Sequence, residues 1–173
     1  ELKPGVRSYD VYYGNASAPA VKAWKPRAGL WLETRYYRGG VPNSWKDMQR
    51  ILKESVKRSH GQAPVDRVFH GHNPLGPSGY CISIYKGTLI APANGVYSFA
   101  SSSDGASFLL LDGKIAVQWA GWHWAVPQAR VRKSTKLRRG LVKFEYYAYT
   151  PHSYRQRMVA AWQPPRVGKK ASK

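Results

Sequence analysis

Gly95-Val-Tyr-Ser-Phe99, then Ser101-Ser-Ser-Asp-Gly-Ala-Ser-Phe-Leu-Leu-Leu-Asp-Gly113, is the stretch that decides the fold. Val96 to Phe99 predicts a strand and Ser101 to Ser107 a polar loop. Phe108 to Leu111 and Ile115 to Gln118 flank Asp112-Gly113, a dipeptide that closes tight hairpins because both of its residues tolerate positive φ. Downstream, Leu141 to Tyr149 alternates, which sets Val142, Phe144, Tyr146 and Ala148 on one strand face. Met158 to Trp162 is the last strand, stopped by Pro164-Pro165. Upstream, Gly29 to Tyr37 and Tyr80 to Ile84 read as strands.

One segment has a different period. Ser44 caps a helix with Asp47 three residues on, and Trp45, Met48, Leu52 and Val56 then recur at helical spacing. The helix is expected to run to about Ser59, with His60-Gly61 closing it. The fold class expected is therefore mainly β, a barrel or sandwich with one inserted α-helix.

Charge and composition narrow the function classes. The chain has 173 residues, with 28 Lys and Arg against 9 Asp and Glu, a formal charge of +19. Such a field favours anionic partners, nucleic acid included, on charge alone. Seven Trp and twelve Tyr supply ring faces suited to cores and binding surfaces. Cys81 stands alone, so no intrachain disulfide forms, and its strand setting reads as a buried small hydrophobe. No apolar run approaches the ~20 residues of a membrane span. The opening at Glu1 reads as a mature product or an excised segment. Glu33, Glu54, Glu145, Asp10, Asp47 and Asp66 show no pairing for glycoside hydrolysis, and neither a nucleophile elbow nor a phosphate loop occurs, so an enzyme is not expected. His70-Gly71-His72 has the spacing of a metal pair but lacks a third ligand nearby.

The order of these pieces resembles a PA14 domain, a β-barrel module of bacterial toxins, glycosidases, yeast adhesins and bacterial surface proteins. Gly29-Leu30 with Tyr36-Tyr37 resembles the family's opening strand, and Tyr80 to Pro92 its strand leading into a Gly-x-Leu-x-x-Pro stretch. Gly95 to Phe99 resembles the G-x-Y-x-F element, and Leu111-Asp-Gly113 the hairpin turn after it. Leu137 and Gly140 ahead of Val142 to Tyr147 resemble the late strand, and Ala161-Trp-Gln-Pro164 the closing one. The resemblance divides the chain into a flank, 1–27, a PA14-like domain, 28–165, and a basic tail, 166–173. Tyr9 to Asn15 in the flank looks like the last strand of a neighbouring β-sandwich module.

That resemblance implies a non-catalytic, secreted or cell-surface binding module, carbohydrate-binding or adhesive, whose partner is a glycan or surface polysaccharide. In the sugar-binding branch two adjacent aspartates hold a calcium ion that grips sugar hydroxyls. Here Ser103 takes the first of those places and only Asp104 remains. Calcium wants several oxygens, preferably carboxylates, so Asp104 alone makes a poor cage in a positive field. The ligand site is expected at Ser103 and Asp104, on an open rim, with the indoles of Trp119, Trp122 and Trp124 from the loop that follows the hairpin. His123 reads there as a polar neighbour. Two alternatives stay open. The indoles pack at a junction with neighbouring modules or copies of the chain, a structural or assembly role. Or Arg130, Arg132, Lys133, Lys136, Arg138 and Arg139 bind an anionic polymer, with Arg130, Arg132 and Ser134 aligned on one strand face and Arg155 and Arg157 extending the patch.

Overall fold

The computed structural model describes residues 29–126, 131–151 and 156–165. The flank 1–27, Arg130, Arg155 and the tail 166–173 lie outside the described residues. Ten strands and one helix are described in chain order: β1 (Leu30–Tyr36), α1 (Trp45–Glu54), β2 (Ser59–Val65), β3 (Phe69–His70), β4 (Cys81–Ala91), β5 (Gly95–Ser103), β6 (Ser107–Leu111), β7 (Lys114–Trp119), β8 (Val131–Leu137), β9 (Gly140–Thr150) and β10 (Met158–Gln163). They form a six-stranded sheet, β2-β1-β4-β9-β6-β7, and a four-stranded sheet, β3-β10-β5-β8. Every pairing is antiparallel. The expected mainly β fold with one helix is therefore the one observed.

Alternation explains how two cores arise from one sheet. On β9, Val142, Phe144, Tyr146 and Ala148 face the second sheet and meet Tyr97, Phe99 and Met158 there. The intervening Tyr147 and Tyr149 turn to the opposite face and pack with Ile82, Ile84 and Phe108 beneath α1. Where both faces are covered, from Tyr146 to Tyr149, β9 carries apolar and aromatic residues at both parities. From α1, Met48 and Ile51 are fully enclosed, each stabilising the fold by about 1.5–3 kcal/mol through burial. Trp45 rests against Phe108 and Tyr147, with ring centroids 5.6 and 5.1 Å away.

The helix start follows the sequence and its end does not. The Ser44 Oγ accepts from the Asp47 N–H at 3.1 Å and donates to the Asp47 carboxylate at 2.8 Å. However, α1 stops at Glu54, Val56 is exposed, and His60 and Gly61 lie in β2. The Ser59–Val65 backbone pairs along β1 instead, a gain that helical spacing does not register. A second departure concerns Ser101, Ser102 and Ser103, which extend β5 and are buried, so the loop is only Asp104 to Ala106. At the Asp112-Gly113 turn both φ angles are positive, 47° and 76°, as this hairpin type requires. Among the described residues no helix is long and apolar enough to cross a membrane.

Candidate functional site

The end of β5 meets three other segments of chain. The Ser101 Oγ lies 3.0 Å from the hydroxyls of both Ser107 and Tyr146. The Ser102 Oγ donates to the Val126 carbonyl at 2.7 Å and accepts from the Val126 N–H at 2.9 Å. The Ser103 Oγ donates to the Gly105 carbonyl at 2.9 Å. A run that reads as a solvated loop is thus buried because each hydroxyl has a partner inside the protein.

Asp104 is the hub of this end. Its Oδ1 accepts from the Ala125 N–H at 2.7 Å and from Arg157 Nη2 at 3.2 Å. Its Oδ2 accepts from the backbone N–H and the Nε–H of Arg157, both at 3.1 Å. The Asp104 side chain is fully enclosed, whereas 47% of the Arg157 side chain is exposed. Burial pushes the Asp104 carboxyl up, but the hydrogen bond from Arg157, those from the Ala125 and Arg157 amides, and the arginine's charge together hold it below its ordinary value. Ser103 and Asp104, expected on an open rim, are both enclosed.

This arrangement does not fit calcium. Asp104 already receives four hydrogen bonds, two of them from a guanidinium, and the Ser103 Oγ is committed to Gly105. A hard dication would need those oxygens and several more. Among the described residues no three of His, Cys, Asp and Glu converge as ligands. His70 has both ring nitrogens engaged, at 3.2 Å from the Ser83 hydroxyl and 2.7 Å from that of Tyr85, while His72 is exposed.

The same carboxylate anchors the indole loop. The Gly105 N–H donates to the His123 carbonyl at 2.8 Å, and Ala125 is held by Asp104, so Trp124 is fastened on both sides. The Gly121 N–H donates to the Pro42 carbonyl at 2.9 Å, at a φ of +82° that favours glycine. His123 is more than a polar neighbour: its ring stacks on Trp119 at 3.5 Å and 6°. Its Nδ1 and Nε2 lie 3.1 and 3.3 Å from the Ser103 and Trp119 carbonyls. Burial outweighs those carbonyls and the Asp104 charge, and keeps the ring below its ordinary pKa of 6.5. Trp122 and Trp124, 55% and 39% exposed, meet edge to face at 5.1 Å. Trp119 therefore belongs to the support of the loop, and Trp122 and Trp124 to its surface.

Among the described residues, the basic side chains around β8 divide between its two faces and the turn that follows it. Arg132, Ser134 and Lys136 share the outer face of β8, opposite Ala100, Ser98 and Val96. Lys133 points to the other face, and Arg138 and Arg139 sit in the turn to β9, where Asn94 Oδ1 accepts the Arg139 N–H at 2.7 Å. β8 is an edge strand, and charge there discourages pairing with further strands. The sequence reading had no signal for a cavity of about 400 Å³ between the sheets, lined by Leu30, Val68, Leu89, Phe99, Phe144 and Trp162. Its Phe99–Trp162 wall is four residues along β10, ~13 Å, from the Met158–Ser103 pair.

A family model described as the PA14 domain matches residues 40–173. No curated protein matches the chain. Among solved structures, the PA14 domain of the MpAFP antifreeze protein superposes with a TM-score of 0.63 at 8% identity, covering 87% of this chain and 90% of that one. The PA14 sugar-binding domain from an RTX adhesin gives 0.63 at 15%, over 79% and 89%. The Candida glabrata epithelial adhesin 9 A domain, in complex with Galβ1-4GlcNAc, gives 0.58 at 12%, over 85% and 88%.

Proposed function

Because this chain belongs to the PA14 domain family, we propose that it is a non-catalytic, secreted or cell-surface binding module for carbohydrate, spanning residues 28–165 and serving adhesion. The observation that carries this reading is the exposed Trp122–Trp124 pair, on a loop fastened to the buried Asp104. Indole faces stack on sugar rings, and a loop ordered before binding loses less entropy when the ligand arrives. Two structural neighbours support it: one is a sugar-binding adhesin domain and the other is an adhesin in complex with a disaccharide. In this reading Ser103 and Asp104 position the loop from beneath, and the two exposed indoles meet the ligand. A glycan array run with calcium and with chelator tests it. Binding in either condition is expected, reduced ~10-fold by Trp122→Ala or Trp124→Ala. No binding to any glycan rejects it.

A second reading rests on the same exposed indoles packing against a neighbouring module or another copy of the chain. Light scattering across a concentration series addresses it, and a strict monomer, alone and beside its neighbours, counts against it. The outer face of β8, with Arg132 and Lys136, supports a third, an anionic-polymer surface. Retention on DNA or heparin that does not change with salt rejects that one.

A further inference from the structure

Asp104 occupies only one edge of its arginine. The guanidinium gives Asp104 the fork made by Nε and Nη2. A guanidinium carries five N–H donors in one plane, so a second fork, from Nη1 and the other Nη2 hydrogen, points away from the carboxylate. The Asp104 end is enclosed, whereas the arginine side chain is half exposed. Among the described residues Nη1 has no hydrogen-bond acceptor.

The orientation of this fork is fixed. The Arg157 N–H also donates to Asp104 Oδ2, and its carbonyl accepts the Asp104 N–H at 2.8 Å, so backbone and side chain are held by one residue. The Asp104 carboxylate also holds Ala125, next to Trp124. Cationic fork and exposed indoles are therefore anchored at a single point. The Asp104–Arg157 pair is neutral by itself, and the His123 ring beside it is held towards its neutral form. Long-range attraction comes from the rest of the chain, whose charge is +19.

We infer that Arg157, locked by Asp104, is the anion-recognising group of the site, and that the sugar it takes carries a carboxylate or a sulfate. This rests on the carbohydrate reading above and gives it a ligand class. The planar fork matches two oxygens of such a group, while the indoles cover the ring that bears it. Binding then needs no divalent ion, since the fixed guanidinium supplies the donors and the rest of the chain the positive field. Nucleic acid phosphates are the competing source of oxyanions, but among the described residues the site is built around a single fork rather than a track of cations along a backbone.

The test is calorimetric titration of the chain, once with calcium and once with chelator, against an oligogalacturonate, its full methyl ester, a sulfated galactan oligosaccharide and a single-stranded DNA oligomer. An acidic sugar is expected to bind ~10-fold or more tighter than the methyl ester, and to weaken with salt. The carboxylated and sulfated arms show which oxyanion is preferred. Arg157→Lys keeps a charge for Asp104 but loses the second fork, and should lower the acid-to-ester affinity ratio ~10-fold. Equal binding of acid and ester overturns the inference and leaves the carbohydrate reading intact. So does binding that vanishes in chelator, or DNA bound as tightly as the sugars. Failure of every sugar, acidic or neutral, removes both. If Arg157→Lys does not fold, the acid-to-ester ratio of the unaltered chain decides.

Discussion

Replacing Asp104 with asparagine removes a charge and almost no volume, so it isolates what the carboxylate does. Asparagine keeps one acceptor for the Ala125 N–H but sets an amide NH₂ against the N–H groups of Arg157. Breaking a buried ion pair from one side costs about 3–5 kcal/mol. Arg157 is half exposed and its guanidinium can return to water, which lowers the cost to about 2–4 kcal/mol. In a domain of this size each kcal/mol is worth about 3 °C, so the melting temperature should fall by about 6–12 °C at pH 7. The pH dependence makes the test sharper. The folded carboxyl lies below its ordinary value of 3.8, so its contribution is complete above 3.8 and is lost as pH falls through the lower folded value. Melting curves of the native chain and Asp104→Asn, followed by circular dichroism, should converge as the pH is taken well below 3.8. A gap under about 2 °C at pH 7, or one that persists in acid, refutes the hub described for Asp104.

Three further outcomes are expected. Gly105 and Gly113 have φ values of +81° and +76°, but an added Cβ would collide with the Tyr149 carbonyl and Pro151 at Gly105 and meet open space at Gly113. Gly113→Ala should cost about 1 kcal/mol and Gly105→Ala at least about 3 in urea unfolding, and equal costs would refute the crowding argument. His70, enclosed between Ser83 and Tyr85, has its pKa lowered from 6.5 to about 4, by burial first and by the charge of His72 second. The neutral ring therefore stabilises the fold fully above pH 6.5, and that contribution drains away as pH falls from 6.5 to about 4. NMR should give a His70 midpoint near the lower value, and a midpoint close to 6.5 would contradict its burial. Burial pushes the Cys81 thiol up to about 11, so it should resist a disulfide reagent at pH 8 in the native state and react once urea unfolds the chain. Fast labelling without denaturant would refute the packing assigned to it.

What the residues determine alone is whatever depends on near neighbours in the chain. The Ser44 cap, the Asp112-Gly113 turn and the alternation of Val142, Phe144, Tyr146 and Ala148 are written within a few positions, and the structure has all of them. The order of those pieces was enough to indicate the family. Local pattern misled wherever a distant partner decided the outcome. Val56 keeps the helical spacing, yet the chain leaves the helix after Glu54 because Ser59–Val65 gains a strand partner in β1. Ser101, Ser102 and Asp104 read as part of a solvated loop, yet they are buried, since Tyr146, Val126 and Arg157 supply their hydrogen bonds from far along the chain. Asp104 and Arg157 are 53 positions apart. Nothing adjacent to either residue announces the pair, because a buried charge is stable only beside a partner that the tertiary fold alone can bring to it.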